Sequence, residues 1–137
     1  MANPARPQDF VRGVPLFAGL LPSEFDRVAM VMHPRAVAGG TAICTQGEPG
    51  DEMFVIVDGE AVVERVGQPV AKLTTGDYFG ELALLDHGPR TATVRALTDM
   101  NLYVLRERSL TALLMELPAL ALKLLANLAS RLREAEA

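Results

Sequence analysis

The spacing of apolar residues divides the chain into three zones, and the first of them is helical. Between residues 10 and 33, apolar side chains recur at the interval of an amphipathic helix. The residues that share one face are Phe25, Val28, Ala29 and Met32. The sequence Pro22-Ser23-Glu24 resembles a helix start. Residues 1–9 are small, polar and proline-rich, so we expect a mobile tail there.

The second zone, residues 34–106, is punctuated by glycines and predicts short strands. The glycines recur mostly at intervals of eight to twelve positions or less, with β-forming runs between them. The predicted strands are Ala42–Thr45, Met53–Val57, Ala61–Arg65, Val70–Leu73, Thr91–Ala96 and Leu102–Arg106. Gly47–Asp51 is a turn by composition, and Asp58-Gly59 is a hairpin signal. This pattern is typical of an antiparallel sandwich or barrel.

The third zone, residues 107–137, returns to a helical pattern. Ser109 is a candidate N-cap, and Pro118 suits the first turn of a second helix. The leucine-rich stripe of that second helix is formed by Leu117, Ala121, Leu124, Leu128 and Leu132. Such a stripe is most often core, and at this place in the chain it is also a candidate dimer seam or moving lid.

Length and composition predict one globular domain. The chain has 137 residues, of which 50% are hydrophobic and 22% charged, and its formal net charge is −4. An acidic chain lacks the positive field that nucleic-acid binding usually needs. No stretch reaches the roughly 18 consecutive apolar residues of a membrane span, and no apolar run near the start resembles a secretory signal. We therefore expect a cytoplasmic, reduced protein that binds neither nucleic acid nor membrane.

Cysteine and histidine are too sparse for a metal centre. The single Cys44 excludes an internal disulfide and a multi-cysteine zinc site, and its strand-like surroundings predict a buried, inert thiol. His33 and His87 lie more than fifty residues apart, so we expect structural or surface roles for both. We predict no metal. A cupin-like barrel enzyme is disfavoured, because its metal site needs several histidines in close order on strands.

One segment of the β zone carries candidate binding chemistry. Asp77–Leu85 is predicted as a turn that leads into a short helix, and Arg90 and Thr91 follow in the turn before the next strand. A helix start offers unpaired N–H groups, and Gly80 lets a ligand approach the backbone. An arginine fits two phosphate oxygens, and the Thr91 hydroxyl is an adjacent donor. This pattern predicts an anion site.

Glu81 extends the prediction from a phosphate to a nucleotide. A carboxylate cannot donate to an anion, but it can accept a hydrogen bond from a sugar hydroxyl. A carboxylate for ribose beside an arginine for phosphate indicates a compact nucleotide. From the residues alone, two plainer interpretations stay open. Glu81 could complement the helix dipole, and Arg90 could form a surface ion pair with Glu81 or Asp86.

The same segment resembles a known family. Phe79–Leu85 (FGELALL) followed by Pro89–Val94 (PRTATV) is similar to the phosphate-binding cassette of cyclic nucleotide-binding domains. Val14–Leu20 resembles the family's N-terminal opening, and Gln46–Gly59 resembles its first barrel turn and hairpin. The resemblance covers about residues 10–136. The family includes the bacterial catabolite activator, the regulatory subunits of cAMP-dependent protein kinase and cyclic nucleotide-gated channels.

The resemblance implies a fold and a binding site. The fold would be mainly β, an eight-stranded jelly-roll barrel (a double-stranded β-helix) with an N-terminal helix, a short cassette helix and two C-terminal helices. The cassette residues implied in binding are Gly80, Glu81, Leu82, Ala83, Arg90 and Thr91. Glu81 would hold the ribose 2′-hydroxyl, and Gly80 would lie against the sugar. Arg90 would hold the cyclic phosphate, helped by the backbone N–H groups of Ala83 and Thr91.

The resemblance also implies how the base is held. Val63 and Leu73 fall where family members pack the purine. The last helix, Pro118–Glu136, resembles the lid that closes over the base, and Arg131 lies near a base-capping position of one family branch. A threonine such as Thr91 is associated in the family with acceptance of cGMP, yet several members with threonine favour cAMP. We expect cAMP as the ligand, with cGMP as a competitor.

The sequence therefore predicts a non-catalytic sensor that binds a cyclic purine nucleotide and closes its C-terminal lid helix. The predicted domain comprises N-terminal helices over residues 10–33, a barrel over 34–106 with the cassette at 79–94, and hinge and lid helices over 107–137. Two alternatives are an interaction module of the same fold without a ligand, and a sensor fragment of a larger transcription regulator or enzyme. Candidate partners are a second copy, bound through the last helix, and an unknown effector protein. No helix-turn-helix follows the long helix, so DNA binding by this chain is not expected.

Overall fold

The computed structural model describes residues 7–136, and this part of the chain forms two units. The β unit spans Met32–Glu107, and the helical unit combines the residues on either side of it. The mobility expected for residues 1–6 concerns positions outside the described residues. The remaining residues of the predicted tail, 7–9, are helical, because α1 covers Pro7–Arg12. Its proline in first position and its Asp9 in the first turn both favour a helix start.

The N-terminal helical pattern is divided rather than continuous. A 3₁₀ turn at Pro15–Phe17 follows α1, and α2 covers Pro22–Met30. The Leu21 N–H donates to the Glu24 carboxylate at 2.8 Å, so α2 begins where the sequence pattern predicts. The first strand begins at His33, because this residue precedes a proline and such residues favour extended backbone.

In the described part of the β unit, eight strands pair in two antiparallel sheets. The strands are β1 (His33–Val37), β2 (Ala42–Cys44), β3 (Glu52–Asp58), β4 (Ala61–Arg65), β5 (Gln68–Leu73), β6 (Tyr78–Phe79), β7 (Thr93–Ala96) and β8 (Met100–Arg106). The strand orders are β1-β8-β3-β6 and β2-β7-β4-β5. Two four-stranded antiparallel sheets, preceded and followed by helices along the chain, form a jelly roll, so the predicted fold class is confirmed.

Two of the observed strands are not predicted by the sequence pattern. β1 contains Pro34 and pairs only with β8, at the edge of its sheet, where proline is tolerated. β6 consists of two residues that pair with Phe54 and Val55 of β3, and it is too short for a visible alternation. By contrast, β4 has the predicted bounds.

The interpretation of Asp58-Gly59 as a hairpin is wrong. β3 ends at Asp58 and β4 begins at Ala61, but these strands belong to different sheets, so the turn carries the chain from one sheet to the other. Gly59 has a φ of +100°, and a Cβ there would lie 2.7 Å from the Asp99 carbonyl oxygen. The turn signal is therefore correct, whereas the strand pairing inferred from it is not.

The two sheets enclose an apolar cluster. Its buried members are Cys44, Phe54, Ile56, Ala61, Phe79, Val94, Ala96, Met100, Leu102 and Val104. Val63 and Leu73 pack against the cluster while remaining partly exposed. The rings of Phe54 and Phe79 stack with centroids 5.0 Å apart. This contact fixes β6 against β3 directly before residue 80.

The C-terminal helices begin differently from the prediction at one point. The helix α4 covers Glu107–Glu116, so Ser109 lies inside it and is not its N-cap. The reason is that the Glu107 N–H donates to the Asp51 carbonyl at 2.9 Å, which lets β8 pass directly into the helix. The helix α5 covers Pro118–Glu136 and has its proline in the first position, as predicted.

The predicted leucine stripe of α5 is buried only in its first part. Leu117, which lies directly before α5, and Leu124 are buried, whereas Leu132 is 61% exposed. Within residues 7–136, no helix is by itself long and apolar enough to cross a membrane. The helices α4 and α5 meet that test only together, as a pair bent by 111°.

Candidate functional site

The junction between β6 and the next helix places two of the predicted site residues. Gly80 lies between β6 and α3 (Glu81–Asp86) with a φ of +90°, a conformation that glycine adopts at little cost. A Cβ on Gly80 would lie 2.8 Å from Arg90 Nη1 and 3.0 Å from the Glu52 carbonyl oxygen. Glycine is thus needed here for the approach of an arginine as well as for the turn. Glu81 opens α3 and is 2% exposed.

Arg90 lies between α3 and β7, and its side chain is held by main-chain oxygens. Its Nη1 donates to the Gly80 carbonyl at 2.7 Å, and its Nη2 donates to the Glu52 carbonyl at 2.7 Å. Its guanidinium carbon is 6.0 Å from the centroid of the Phe54 ring. Because Arg90 is only 9% exposed, a solvent-exposed ion pair with Asp86 does not describe it. Asp86 is exposed and accepts from the Gly88 N–H at 2.8 Å instead.

The loop between β2 and β3 is hydrogen-bonded to the main chain of Arg90. The Gly47 N–H donates to the Arg90 carbonyl at 2.9 Å, and the Arg90 N–H donates to the Glu48 carbonyl at 2.8 Å. A Cβ on Gly50 would lie 2.1 Å from Arg90 Nε, so only glycine lets the loop pass this close to the guanidinium. Sequence reasoning treats Gly50 as a turn residue. The pair of glycines around Glu48-Pro49 is the one signal that the loop approaches another element closely.

A second arginine lies beside this arrangement and was not predicted as part of it. Arg35 Nη1 and Nη2 donate to the two carboxylate oxygens of Glu52, each at 2.8 Å. The bond from Arg35 lowers the pKa of the Glu52 carboxyl against the opposing effect of burial, and it raises the pKa of Arg35. The carboxylate of Glu52 therefore binds Arg35, and its main-chain carbonyl accepts a hydrogen bond from Arg90. These contacts join β1, β3 and the turn before β7, and no local sequence motif indicates them.

Cys44 lies within electrostatic reach of the same groups. Burial raises the pKa of its thiol to about 11, while the positive charge of Arg90 opposes this shift and the carboxylates of Glu52 and Glu81 add to it. The thiol is buried and free of a disulfide. The expectation of an inert, buried cysteine agrees with this environment, because a protonated thiol is a poor nucleophile.

Most of the remaining predicted site residues belong to the β unit, together with Arg90, whereas Arg131 belongs to the helical unit. Val63 on β4 pairs with Ala71, and Leu73 on β5 pairs with Ala61, so these two apolar side chains are diagonal neighbours on one face. Thr91 is exposed directly after Arg90. Within α3, Ala83 is buried and Leu82 is partly buried. Arg131 is an exposed residue of α5, in the helical unit.

The β unit thus presents a buried guanidinium, a buried carboxylate and the first turn of α3 within one small region. Such groups suit an anion and a hydroxyl, which is the combination found in a nucleotide. Within residues 7–136, no group of three or more histidine, cysteine, aspartate or glutamate side chains is arranged to hold a metal ion.

Comparison with known proteins identifies the family. The sequence profile described as "Cyclic nucleotide-binding domain" matches residues 34–116, which is more than half of the chain. The chain belongs to the cyclic nucleotide-binding domain family. The resemblance seen in the sequence of the cassette is therefore confirmed at the level of the whole domain.

Relatives of this domain occur in proteins with different overall roles. The chain is 43% identical over 103 residues to a cyclic nucleotide-gated potassium channel of Rhizobium etli, covering 71% of this chain and 29% of the channel. It is 41% identical over 116 residues to a cAMP-dependent protein kinase regulatory subunit of Mycosarcoma maydis, covering 78% of this chain and 22% of the subunit. The chain spans less than a third of the length of these two relatives.

A solved structure agrees with the fold of this domain. The catabolite activator protein of Thermus thermophilus superposes with a TM-score of 0.83 and is 38% identical. The superposition covers 89% of this chain and 60% of that protein. The jelly roll and its flanking helices are therefore those of the family.

Proposed function

We propose that this domain binds a cyclic purine nucleotide as a non-catalytic sensor. The observation that carries the proposal is the buried Arg90, aimed by the Gly80 and Glu52 carbonyls next to the buried Glu81. A fixed guanidinium beside a carboxylate matches a cyclic phosphate next to a ribose hydroxyl. In this proposal Arg90 binds the phosphate and Glu81 accepts from the ribose 2′-hydroxyl.

The donor inventory of Arg90 supports a phosphate ligand. An arginine has five N–H donors, and the two bonds to carbonyl oxygens use two of them. The two carbonyls are neutral acceptors, so they orient the guanidinium without themselves neutralising its charge. We assign the backbone N–H groups of Ala83 and Thr91 as further donors to the phosphate. Gly80 would lie against the sugar, and Leu82 completes the binding segment.

For the base, we assign Val63 and Leu73 as apolar contacts. Both side chains are partly exposed at the edge of the barrel cluster, where a purine ring can cover them. We favour cAMP as the ligand, since one relative is named a cAMP-dependent regulatory subunit. Because the Thr91 hydroxyl can bond the guanine amino group when the base is syn, cGMP is the competing ligand.

Ligand binding would act through a population shift between two arrangements of the C-terminal helices. In the bound state we expect α5 to close over the base, with Arg131 as the capping side chain. A ligand shifts such an equilibrium only by its difference in affinity for the two states, so closure requires contacts that exist in one state alone. A base covered by α5 would provide that difference.

The exposed leucines of α5 favour a protein partner as a second function. Leu122, Leu125 and Leu132 are 60% to 67% exposed, and Ala129 falls between them at the spacing of a coiled-coil seam. A second copy of this chain fits such a seam, and an effector protein is the alternative. Sedimentation with and without cAMP tests the second copy, because a homodimer doubles the mass of the purified chain.

Calorimetric titration of cAMP and cGMP side by side tests the ligand. We expect wild-type protein to bind cAMP more tightly than cGMP. The Arg90→Ala variant should lose about 100-fold in cAMP affinity, the effect of a charge-assisted bidentate contact, whereas Arg106→Ala, at an exposed position, should change it by less than about twofold. Arg90→Lys keeps the charge and controls for folding. Equal, small effects of Arg90→Ala and Arg106→Ala would contradict the assignment.

A further inference from the structure

The tip of the hairpin between β4 and β5 has an unfavourable backbone. Val66 has a φ of +53° and Gly67 a φ of +76°, and these two residues join the paired residues Arg65 and Gln68. Glycine and asparagine suit such a turn, whereas a β-branched residue in this region is an outlier. The Val66 side chain is 84% exposed, so its packing does little to offset the strain. The turn therefore needs support from elsewhere.

That support comes from a loop on another part of the sheet. The Val66 N–H donates to Gln46 Oε1 at 2.9 Å, although the two residues are 20 positions apart. The backbone N–H of Gln46 donates to Thr93 Oγ1 at 3.0 Å. Gln46 is thus fixed at its main chain by the start of β7, and its side chain holds the hairpin tip.

The same loop also holds the arginine of the proposed phosphate site. Gly47, the residue after Gln46, donates to the Arg90 carbonyl at 2.9 Å, and the Glu48 carbonyl accepts from the Arg90 N–H at 2.8 Å. On the other side, β4 carries Val63, a proposed base contact, towards the hairpin tip. Gln46 therefore connects the main chain around Arg90 with the hairpin that carries the proposed base contacts.

We propose that Gln46 is a positioning residue that sets the base-contacting hairpin relative to Arg90. The inference rests on the proposed function of the site. The Gln46 amide acts on the ligand only through the turn that it holds. Without the Gln46 amide, the hairpin tip loses this hydrogen bond and becomes more mobile. Contacts with the base then weaken, while contacts with the phosphate and ribose persist. Discrimination between bases then depends on Gln46, whereas affinity for the cyclic phosphate does not.

The experiment measures Kd by calorimetry for cAMP, cGMP and base-free ribose 3′,5′-cyclic phosphate. Gln46→Ala should weaken cAMP binding about fivefold, the typical effect of one neutral hydrogen bond, and should change binding of the base-free ligand by less than about twofold. Gln46→Glu keeps an acceptor for the Val66 N–H. It should therefore bind all three ligands within about twofold of wild type.

A second variant separates positioning from a general loss of stability. Val66→Gly relaxes the turn, because glycine adopts a positive φ readily. In that background Gln46→Ala should weaken cAMP binding by less than about twofold. Hydrogen exchange of the Val66 amide, measured without ligand, reports whether the bond between the Val66 N–H and residue 46 is formed. The exchange should be slow in wild type and in Gln46→Glu but fast in Gln46→Ala.

Three results would overturn the proposal. One is an equal loss of affinity for cAMP and for the base-free ligand in Gln46→Ala, and another is an unchanged cAMP affinity in that variant. The third is a loss of cAMP affinity in Gln46→Glu as large as the loss in Gln46→Ala. The titration of wild-type protein distinguishes this failure from failure of the proposed function. A wild-type protein that binds none of the three ligands would overturn both.

Discussion

The phosphate side and the base side of the proposed site are built differently, although both belong to the β unit. On the phosphate side, the Arg90 guanidinium is buried and held by the Gly80 and Glu52 carbonyls at 2.7 Å each. On the base side, Val63 and Leu73 are only partly buried. The hairpin that carries them is supported at its tip by a single exposed side-chain bond.

This difference indicates how affinity and selectivity are divided. Groups that are already fixed before binding lose little conformational freedom when a ligand arrives, so they favour affinity. Apolar contacts on an adjustable hairpin cost more to order but adapt to different bases. We therefore expect the phosphate side to determine how tightly any cyclic nucleotide binds, and the base side to determine which one binds best.

After the loss expected for Arg90→Ala, the largest expected effect tests the ribose contact on the phosphate side. Glu81→Ala should weaken cAMP binding about 50-fold, because a hydrogen bond to a charged acceptor is lost. The same variant should bind 2′-deoxy-cAMP within about threefold of wild type, since that ligand lacks the hydroxyl that Glu81 would hold. Calorimetry with both ligands measures the two losses. A similar loss for both ligands would show that Glu81 acts on the fold instead of the ribose.

The next effect tests whether Arg90 must keep its place. In Gly50→Ala the new Cβ would meet Arg90 Nε at 2.1 Å, so the guanidinium must move. We expect about a tenfold loss of affinity for cAMP and cGMP alike, from a weakened ion contact. Gly13→Ala is the matched control, because its Cβ would meet its nearest neighbour, the Phe10 oxygen, at an ordinary 3.6 Å. Unchanged affinity in Gly50→Ala would mean that the position of the guanidinium is not decisive.

A smaller effect is expected on the base side. Val63→Ala should weaken cAMP binding about fivefold through lost apolar contact, and it should change the ratio of cAMP to cGMP affinity. Val70→Ala, at a position on β5 that is 50% exposed, should change neither quantity. Competition binding with the two nucleotides measures the ratio. An unchanged ratio in Val63→Ala would contradict the proposed division between affinity and selectivity.

The smallest expected effect concerns the stability provided by the Arg35–Glu52 ion pair, which lies next to the phosphate side. The Glu52 pKa is lowered from 4.5, so its carboxylate takes up a proton less readily in the folded chain than in the unfolded one. Its contribution to stability is therefore complete above pH 4.5 and is lost as the pH falls through the lowered pKa. Urea unfolding should show Glu52→Gln less stable than wild type by about 0.5 kcal/mol at neutral pH, the scale of a partly exposed ion pair. The difference should vanish in acid, and a constant difference would contradict the assignment.

The sequence predicts the phosphate side better than the surroundings that fix it. Gly80, Glu81 and Arg90 fall within one short segment, so their types and spacing indicate an anion site without knowledge of the fold. About forty positions earlier, Glu52 at the start of β3 contributes a carbonyl, and Gly50 in the loop before it contributes a position without a side chain. Main-chain groups carry no side-chain signature, and this is why the supports of Arg90 were not predicted.

The strands show the same limit. β4 is predicted with its bounds, because an apolar run ends at clear turn residues. The Asp58-Gly59 turn is predicted as a turn, but its pairing partner depends on which sheet each strand joins, and local sequence does not specify this. The roles of Val63, Leu73 and Arg131 towards the base stay predictions.

The environment of Cys44 has a practical consequence for following this domain in solution. A thiol with a pKa of about 11 that is buried in the barrel stays protonated near neutral pH and reacts slowly with maleimides. Since the chain contains no other cysteine, one introduced on an exposed position of α5 would be labelled selectively. A fluorescent reporter of helix movement can therefore be attached without first removing the native sulfur.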